Sequence, residues 1–475
     1  MRALLLLRAV CLLLAGLLIL LTAGCAAPPP RLLMNGIAAD RLAPDGIRAL
    51  PVPSGADGRL AGPSGLPAGG GPAVLSPAQR RFLAAGTVPG QTRWQRQLAA
   101  AALADLRLLT RPDGAVAAAW YGQWKYAWPR DASWVAAALA VTGHSATALH
   151  ILRFLARGMT PSGRFAARYQ LSGAPVWTGL APELDDNGWF PWAVWVWYAS
   201  AAGPGADPGR GSSGRAAVRN ELAALWPAVS RSADYAIASL GPDGLPSPSP
   251  DYWEQRASQP TIGTAAPLLA GLRAAARLAG PAGAAGPGAA AGGRFAAAAA
   301  RLQRGITAEF GPAFPRYPAA FGGPAGYVAL FGTGPGPGPA GTAALSVLNG
   351  PDSAVTFLGP PFAAPDPVVS AAIAGAARVL TLPNGGILPG TTWHGSRTTA
   401  WTPSTAFFAL SDAASGRRAA AVRRLAWLAR HRTTAGALPE QVGGHGQPVS
   451  VAPLAWTDAI VLLTLSALAH PLPVP

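Results

Sequence analysis

Apolar residues recur with helical spacing along most of the chain from about residue 77 onward. Strand-like alternation is sparse and occurs only near residues 115–121, 164–171 and 326–331. The predicted helices span 77–88, 92–109, 131–142, 145–158, 186–201, 217–239, 262–279, 293–309, 367–381, 402–414, 417–431 and 453–468. Paired helices in this number indicate an all-α domain of stacked helical hairpins, which either close into a ring or form an open solenoid.

Stretches rich in glycine and proline separate several of these helices. Residues 203–205, 280–293 and 334–341 are such stretches, and we expect them to be surface loops without chemistry. Residues 25–75 have a similar composition and no sustained periodicity, which predicts a flexible linker ahead of a folded domain over residues 76–475.

The N-terminus combines positive charge, an apolar run and small residues. Arg2 and Arg8 come before and within the start of an apolar stretch that runs to residue 21, and Leu-Thr-Ala-Gly-Cys follows at 21–25. This order is typical of a secretory signal peptide, here over residues 1–24, and the Ala-Gly-Cys ending resembles the bacterial lipobox. We therefore expect lipidation of Cys25, with the chain tethered to the outer face of the cytoplasmic membrane. A plain signal peptide and an uncleaved anchor helix are the alternatives.

Composition limits the partners and cofactors. The net charge is +16, but Lys125 is the only lysine among 37 basic residues, and the scattered arginines are typical of a GC-rich genome. The charge therefore does not indicate a nucleic-acid partner. Cys11 and Cys25 are the only cysteines, and the six histidines form no i,i+4 pair, so the sequence predicts no metal site and no cofactor.

Three short segments combine aromatic side chains with charged residues beside predicted helices. The first is Trp-Lys-Tyr-Ala-Trp-Pro-Arg-Asp at 124–131, in which Asp131 is a candidate N-cap. The others are Pro-Asp-Tyr-Trp-Glu-Gln-Arg at 250–256 and Leu-Pro-Glu-Gln at 438–441, the latter followed by Trp456. In a sugar site, Arg130 and Asp131 would bind vicinal hydroxyls while tryptophans cover a pyranose ring. In the structural alternative, Arg130 and Asp131 form a capping ion pair and the tryptophans belong to the core.

Two glutamates in these segments have unlike sequence surroundings. Glu254 follows Trp253, and an apolar pocket there would raise its pKa and keep it protonated. Glu440 lies in a loop with glycines at 443, 444 and 446, which predicts an ionised, solvent-open carboxylate. Glycoside hydrolysis requires such a pair, one acid for the leaving oxygen and one carboxylate for water or carbon. Each glutamate alone could equally be an ordinary surface residue.

Together these segments resemble glycoside hydrolase family 15, the glucoamylase-like family, over about residues 110–470. The matching pieces occur in family order at 128–131, 183–189, 252–254, 352–362, 366–367, 385–386, 401, 438–441 and 456. The resemblance implies an (α/α)6 toroid of six helical hairpins that releases glucose from non-reducing ends of α-glucans with inversion. The two glutamates are far apart in the sequence. They can share one site only if the chain folds back to the same end of the domain, which favours a closed ring.

The resemblance also implies roles for individual residues. Glu254 would be the general acid and Glu440 the general base, with carboxyl groups roughly 6.5–9.5 Å apart as in inverting enzymes. Arg130 and Asp131 would hold the terminal sugar. Trp128, Trp253 and Trp456 would line the subsite of that sugar. The other candidate substrate-binding residues are Trp124, Asp186, Trp189 and, in place of a missing family arginine, Arg397.

Three positions depart from the family pattern. The turn at 385–386 continues Ile-Leu-Pro and lacks the family arginine that grips the terminal sugar, so we expect Arg397 or His394 to fill part of that role. Gln255 stands where many fungal members have a second glutamate, and Trp124 stands where a tyrosine orients the catalytic water. The substrate could therefore be trehalose, an isomalto-oligosaccharide or an envelope α-glycan. A non-catalytic glycan-binding lipoprotein is the alternative from another class. We expect the protein to be a monomer.

Overall fold

A computed structural model describes residues 37–43, 46–51, 77–119, 122–177, 179–202, 212–282, 287–319, 349–433 and 436–475. Cys25, the expected signal peptide, the predicted strand at 326–331 and the predicted loops at 203–205 and 334–341 lie outside these residues. No helix in the described part of the chain is both long enough and apolar enough to cross a membrane.

Twelve α-helices form in the described chain, and each coincides with a predicted helix. They are α1 (Pro77–Ala84), α2 (Arg93–Leu109), α3 (Pro129–Val141), α4 (Ser145–Gly158), α5 (Asp186–Ala202), α6 (Ser212–Ala238), α7 (Ile262–Ala282), α8 (Pro287–Phe310), α9 (Pro367–Leu380), α10 (Thr402–Ala414), α11 (Arg418–Arg430) and α12 (Ala455–Ala467). Two 3-10 helices occur at Gly122–Trp124 and Ser353–Leu358.

The strands are short and antiparallel. They are β1 (Ile37–Ala43), β2 (Gly46–Pro51), β3 (Arg168–Tyr169), β4 (Pro175–Val176), β5 (Ala400–Trp401), β6 (Gln441–Val442) and β7 (Pro448–Val449). They pair as β1–β2, β3–β4 and β5–β6–β7. In the last sheet Trp401 pairs with Gln441, so β5 and the chain after Glu440 lie side by side.

The predicted linker contains the β1–β2 hairpin, and its flexibility stays a prediction. Two other local expectations were wrong. The predicted loop at 280–293 is largely helical, because α7 continues to Ala282 and α8 begins at Pro287, in an alanine-rich segment with high helix propensity. Asp131 is not an N-cap: α3 begins at Pro129, where the fixed φ of proline suits a first helical position, and Trp128 precedes it.

The helices form a closed double ring. Successive inner elements α3, α5, α7, the 3-10 helix Ser353–Leu358, α10 and α12 contact one another, and α12 packs against α3 to close the circle. The helices α2, α4, α6, α8, α9 and α11 each pack outside an inner element. Closure excludes the open solenoid that periodicity alone left possible, and the fold is an all-α (α/α)6 toroid of helical hairpins.

Inner and outer helices differ in how they are buried. In α3 every residue except Val141 is buried, whereas in α11 only Ala421, Leu425, Trp427 and Leu428 are. An inner helix has protein on all sides and is apolar all round, while an outer helix presents a single apolar stripe.

Aromatic side chains fill the centre of the ring. Trp134 of α3 lies with its ring centroid 4.9–6.2 Å from those of Trp189, Trp192, Phe357, Phe362, Phe407 and Trp456. Backbones also approach closely, since a Cβ on Gly188 of α5 would lie 2.1 Å from the carbonyl oxygen of Pro267 in α7. The ring is therefore a packed core, and any site must lie at one of its ends.

Candidate active site

The first turns of α3, α10 and α12, together with the loop ahead of α7, line two adjoining cavities that share several residues. The inner cavity, of about 50 Å³, is lined by Ala118, Trp124, Trp128, Arg130, Asp131, Tyr252, Glu254, Trp401, Pro403, Glu440, Leu454 and Trp456. The outer cleft, of about 530 Å³, shares Trp124, Trp128, Tyr252, Glu254, Trp401 and Glu440 with it. The outer volume lies within the range of small-molecule sites. Helix N-termini directed at this space favour negative charge there.

Glu254 lies on a tight turn ahead of α7. Its φ is 55°, an uncommon backbone conformation for a non-glycine residue that clusters at functional sites. The carboxyl group keeps 38% exposure and lies 3.5 Å from the Arg130 guanidinium. The walls of the cleft raise the pKa of Glu254 by desolvation, while Arg130 and Arg168 act against that increase.

A buried ionic cluster supports the Glu254 turn. Asp251 accepts from the Trp253 N–H at 2.9 Å and from the Thr261 hydroxyl at 2.7 Å, and its backbone carbonyl accepts from the Glu254 N–H at 2.6 Å. Arg316, 2% exposed, bridges Asp251 at 3.1 Å and Asp352 at 2.8 Å. The Tyr252 hydroxyl donates to Asp352 at 2.5 Å. These bonds fix the strained turn that directs Glu254 into the cavity.

The Arg316 guanidinium also lies over the Trp253 indole, 3.6 Å from the ring centroid. Trp253 in turn packs edge-on against Trp393, with their centroids 5.1 Å apart. The cluster therefore orients the wall of the outer cleft as well as the turn itself.

Glu440 lies between β6 and the loop after α11, and only 8% of it is exposed. Its carboxylate accepts from Trp124 Nε1 at 3.1 Å, from Gln441 Nε2 at 3.3 Å and from the Ser450 hydroxyl. Burial raises the pKa of Glu440, and these donors act in the opposite direction by stabilising the ionised form. The expectation of a solvent-open Glu440 was wrong, because strands β6 and β7 fold the glycine-rich loop back over the carboxylate.

Arg130 and Asp131 lie in the first turn of α3 and line the inner cavity. The Arg130 guanidinium contacts Glu183, and it lies 3.3 Å from Asp185 and 4.0 Å from Asp131. Burial and the nearby Glu254 and Glu440 carboxylates raise the pKa of Asp131 to about 7, against the lowering effect of Arg130. At neutral pH this carboxyl group is thus close to its midpoint and can both donate and accept hydrogen bonds.

Indole rings form most of the cavity walls. Trp124, Trp128 and Trp456 line the inner cavity, and Trp253 lines the outer cleft. The Trp456 ring lies under Arg130, with the guanidinium carbon 5.1 Å from the centroid. The Nε1 atoms of Trp128, Trp253 and Trp456 have no hydrogen-bond partner among the described residues. Flat indole rings suit a ligand that has apolar faces.

Three predicted site residues do not line either cavity. Trp189 is fully buried in the aromatic core, where its Nε1 donates to Asp185 at 3.1 Å. Asp186, 1% exposed, lies in the first turn of α5. Arg397 is exposed and contacts the carbonyl oxygen of Thr391, whereas His394 lines the outer cleft. The structure does not place these three in the cavity walls, and a role for them in substrate binding stays a prediction.

Several lining residues were missed. Tyr252 and Trp401 lay within recognised segments without an assigned role, and both line the two cavities. Arg168, Leu180 and Trp393 line the outer cleft, and no motif in the sequence marked them. A cluster of three or more histidine, cysteine, aspartate or glutamate side chains able to hold a metal does not occur in the described ranges.

The fold is shared with solved glycosidases. A structure named as a wild-type glycosidase is 20% identical, with a TM-score of 0.57, covering 80% of this chain and 99% of its own. A bacterial glucoamylase complexed with acarbose is 18% identical, with a TM-score of 0.56, covering 79% of this chain and 56% of its own. The glucoamylase of Hormoconis resinae is 14% identical, with a TM-score of 0.53, covering 76% of this chain and 71% of its own. No protein-family model and no curated protein matches the sequence.

Proposed function

We propose that this chain is a glycoside hydrolase that removes glucose from the non-reducing ends of α-linked glucans or oligosaccharides with inversion. The observation that carries the proposal is the pair Glu254 and Glu440, which line the same two cavities in unlike surroundings. The glycosidase and glucoamylase neighbours in fold support the choice of reaction class.

The two carboxyl groups have complementary states in this mechanism. Glu254, protonated, donates its proton to the glycosidic oxygen as the bond to the anomeric carbon breaks. Glu440, whose ionised form accepts hydrogen bonds from three donors, removes a proton from the water that attacks the anomeric carbon from the opposite face. The products are a β-configured sugar and a free hydroxyl on the leaving group, and proton exchange with solvent restores both glutamates. The separation of the two carboxyl groups stays a prediction.

The shape of the site supports attack at a chain end. The inner cavity is small, and its wall at Trp456 rests directly on the aromatic core around Trp134. A terminal sugar at the opening of this cavity would stop against the core, with Arg130 and Asp131 at its hydroxyls, and the rest of the substrate would extend into the outer cleft. Trehalose, isomalto-oligosaccharides and envelope α-glycans fit the same scheme.

A panel of α-linked glucosides, incubated with the purified protein, tests the proposal. Glucose release is expected from the wild type and is expected to disappear in Glu254→Gln and in Glu440→Gln. Glu221→Gln is the matched control, because Glu221 pairs with Arg153 on the outside of the ring and lines neither cavity. Binding of these glucosides without turnover in all four proteins would instead support a non-catalytic glycan-binding function.

We also propose that the chain is exported and tethered through Cys25. The signal-like N-terminus of the sequence supports this location. Metabolic labelling with a radioactive fatty acid is expected to mark the wild type and not Cys25→Ala. Label on both proteins, or on neither, would contradict the tether.

A further inference from the structure

One cation in the site forms no ion pair with a carboxylate of the described residues. Arg168 of β3 is the only lysine or arginine that lines the outer cleft in the described residues. Arg130, by contrast, lines the inner cavity and is surrounded by Asp131, Glu183, Asp185 and Glu254. The described part of the chain places no carboxylate within 4.0 Å of the Arg168 guanidinium.

The Arg168 side chain is held in place by aromatic rings. Its guanidinium carbon lies 4.6 Å from the Tyr126 centroid and 5.5 Å from the Trp128 centroid. An antiparallel bridge between Ala127 and Tyr169 fixes this arrangement from the backbone. Arg168 is half-buried, and its Nε atom is buried without a hydrogen-bond partner in the described residues. A half-buried, oriented and unpaired guanidinium is a pre-organised binding group for an anion.

The position of Arg168 identifies the part of the substrate that it would meet. Arg168, Gly179, Leu180 and Gln255 line the outer cleft but not the inner cavity. Glu254 lines the same outer cleft as Arg168. In the proposed hydrolysis Glu254 protonates the leaving group, so a leaving group that extends into this cleft would meet a wall that includes Arg168.

We propose that Arg168 determines specificity by binding an anionic substituent, a carboxylate or a phosphate, on the leaving group. This inference rests on the proposed hydrolysis of α-glucosides. A guanidinium binds either anion through two parallel N–H donors, and such charge-assisted bonds are stronger than neutral ones. Gln123, Gln255 and Gln441 line the same cleft and supply neutral donors for the remaining hydroxyls.

Aryl α-glucosides that differ only in charge test this inference. The probes are the 4-carboxyphenyl and 4-phosphonophenyl α-glucosides and the neutral 4-carbamoylphenyl α-glucoside. The wild type is expected to prefer at least one anion by about tenfold in kcat/KM, mainly through KM. Added salt should reduce the preference, because screening weakens a charge contact. The anionic probe that the wild type prefers more strongly identifies the class of anion.

Variants assign the preference to one side chain. In Arg168→Gln the ratio of anionic to neutral kcat/KM should fall to about one, and Arg168→Lys should retain part of it. Arg164→Gln is the matched control: it removes the same charge four residues earlier, where the side chain lies over Trp177 and lines neither cavity. Thermal unfolding checks that each variant is folded. If Arg168→Gln does not fold, the partial loss of the anion preference in Arg168→Lys tests the inference.

Binding of the corresponding α-thioglucosides, which resist hydrolysis, separates this inference from the proposed function. Calorimetry should show tighter binding of an anionic thioglucoside by the wild type, with the difference lost in Arg168→Gln. Hydrolysis of the neutral glucoside without any anion preference would overturn the role of Arg168 and leave the proposed function intact. A preference that persists in Arg168→Gln would also overturn it. Anion-selective binding without hydrolysis of any probe would contradict the proposed function alone.

Discussion

The turn that carries Glu254 and the loop that carries Glu440 position their carboxyl groups in different ways. Glu254 is 38% exposed, is bonded to few groups itself, and depends on a buried ionic cluster beneath its backbone. Glu440 is 8% exposed, and its carboxylate is held directly by Trp124, Gln441 and Ser450. One region fixes a backbone so that a carboxyl group reaches the substrate, and the other fixes a carboxylate itself.

The two glutamates differ in what opposes the effect of burial. Desolvation raises the pKa of both carboxyl groups; hydrogen-bond donors act against that increase at Glu440, and the charges of Arg130 and Arg168 act against it at Glu254. The arrangement suits a base that must be ionised and an acid that must carry a proton.

The largest expected effect is the loss of kcat/KM in the two glutamate variants, and this loss should depend on the leaving group in only one of them. Glu254→Gln should lower kcat/KM by about 10²–10⁴-fold on a disaccharide, because its poor leaving group needs the proton. On an activated 2,4-dinitrophenyl α-glucoside the loss should be much smaller. Glu440→Gln should lose activity to a similar extent on both substrates. Equal losses for the two variants on the activated glucoside would contradict the assignment of acid and base.

The ionic cluster under Glu254 should contribute strongly to stability. Arg316→Leu is expected to lower the free energy of unfolding by about 3–5 kcal/mol, because Asp251 and Asp352 would remain buried without a partner. Urea unfolding measures the change. Arg294→Leu is the control: it breaks an exposed ion pair with Asp234 and should cost less than about 1 kcal/mol. Similar costs for both would show that the cluster does not support the turn.

The donors around Glu440 should appear in the pH profile. Trp124→Phe keeps the ring and removes the Nε1 donor to Glu440. Losing a donor to the ionised form raises the pKa of Glu440, so the rising acidic limb of kcat/KM should move to higher pH. At pH values on that limb kcat/KM should fall by at least about tenfold, because one hydrogen bond to a charged group contributes about 1.5–3 kcal/mol. Movement of the alkaline limb alone would assign Trp124 to the other glutamate.

The smallest expected effect concerns a residue beside neither glutamate. Arg397→Ala should change kcat/KM less than about twofold and stability by no more than about 0.5 kcal/mol, because the side chain is exposed and bonds to the backbone of Thr391. Steady-state kinetics on maltose measure it. A large increase in KM would restore the sequence hypothesis that Arg397 replaces the missing family arginine.

The sequence predicted the helices well, because their apolar spacing depends on local structure. Each of the twelve predicted helices exists, and differences are confined to the ends, as at α3, where Pro129 starts the helix earlier than expected. Ring closure did not follow from periodicity, which identifies the buried face of a helix but not the partner that buries it. The contact of α12 with α3 supplied that information.

The candidate site was predictable where motif residues also point into the cavity. Trp456 and Trp189 both follow predicted helix starts, yet Trp456 lines the inner cavity and Trp189 joins the core. One residue of displacement turns a helical side chain by about 100°, and sequence spacing near a helix start does not fix that direction. Arg168 was missed because a short strand, with no motif of its own, carries it to the cleft.

The central claim is that Glu254 and Glu440 act together as the acid and base of an inverting hydrolysis. Proton NMR of an α-glucoside, recorded within the first turnovers and before mutarotation, tests this most directly. An inverting hydrolysis should release the β-anomer of glucose first, and this anomer should then convert slowly to the equilibrium mixture. Initial release of the α-anomer would contradict it, and so would the absence of glucose from every α-glucoside tested.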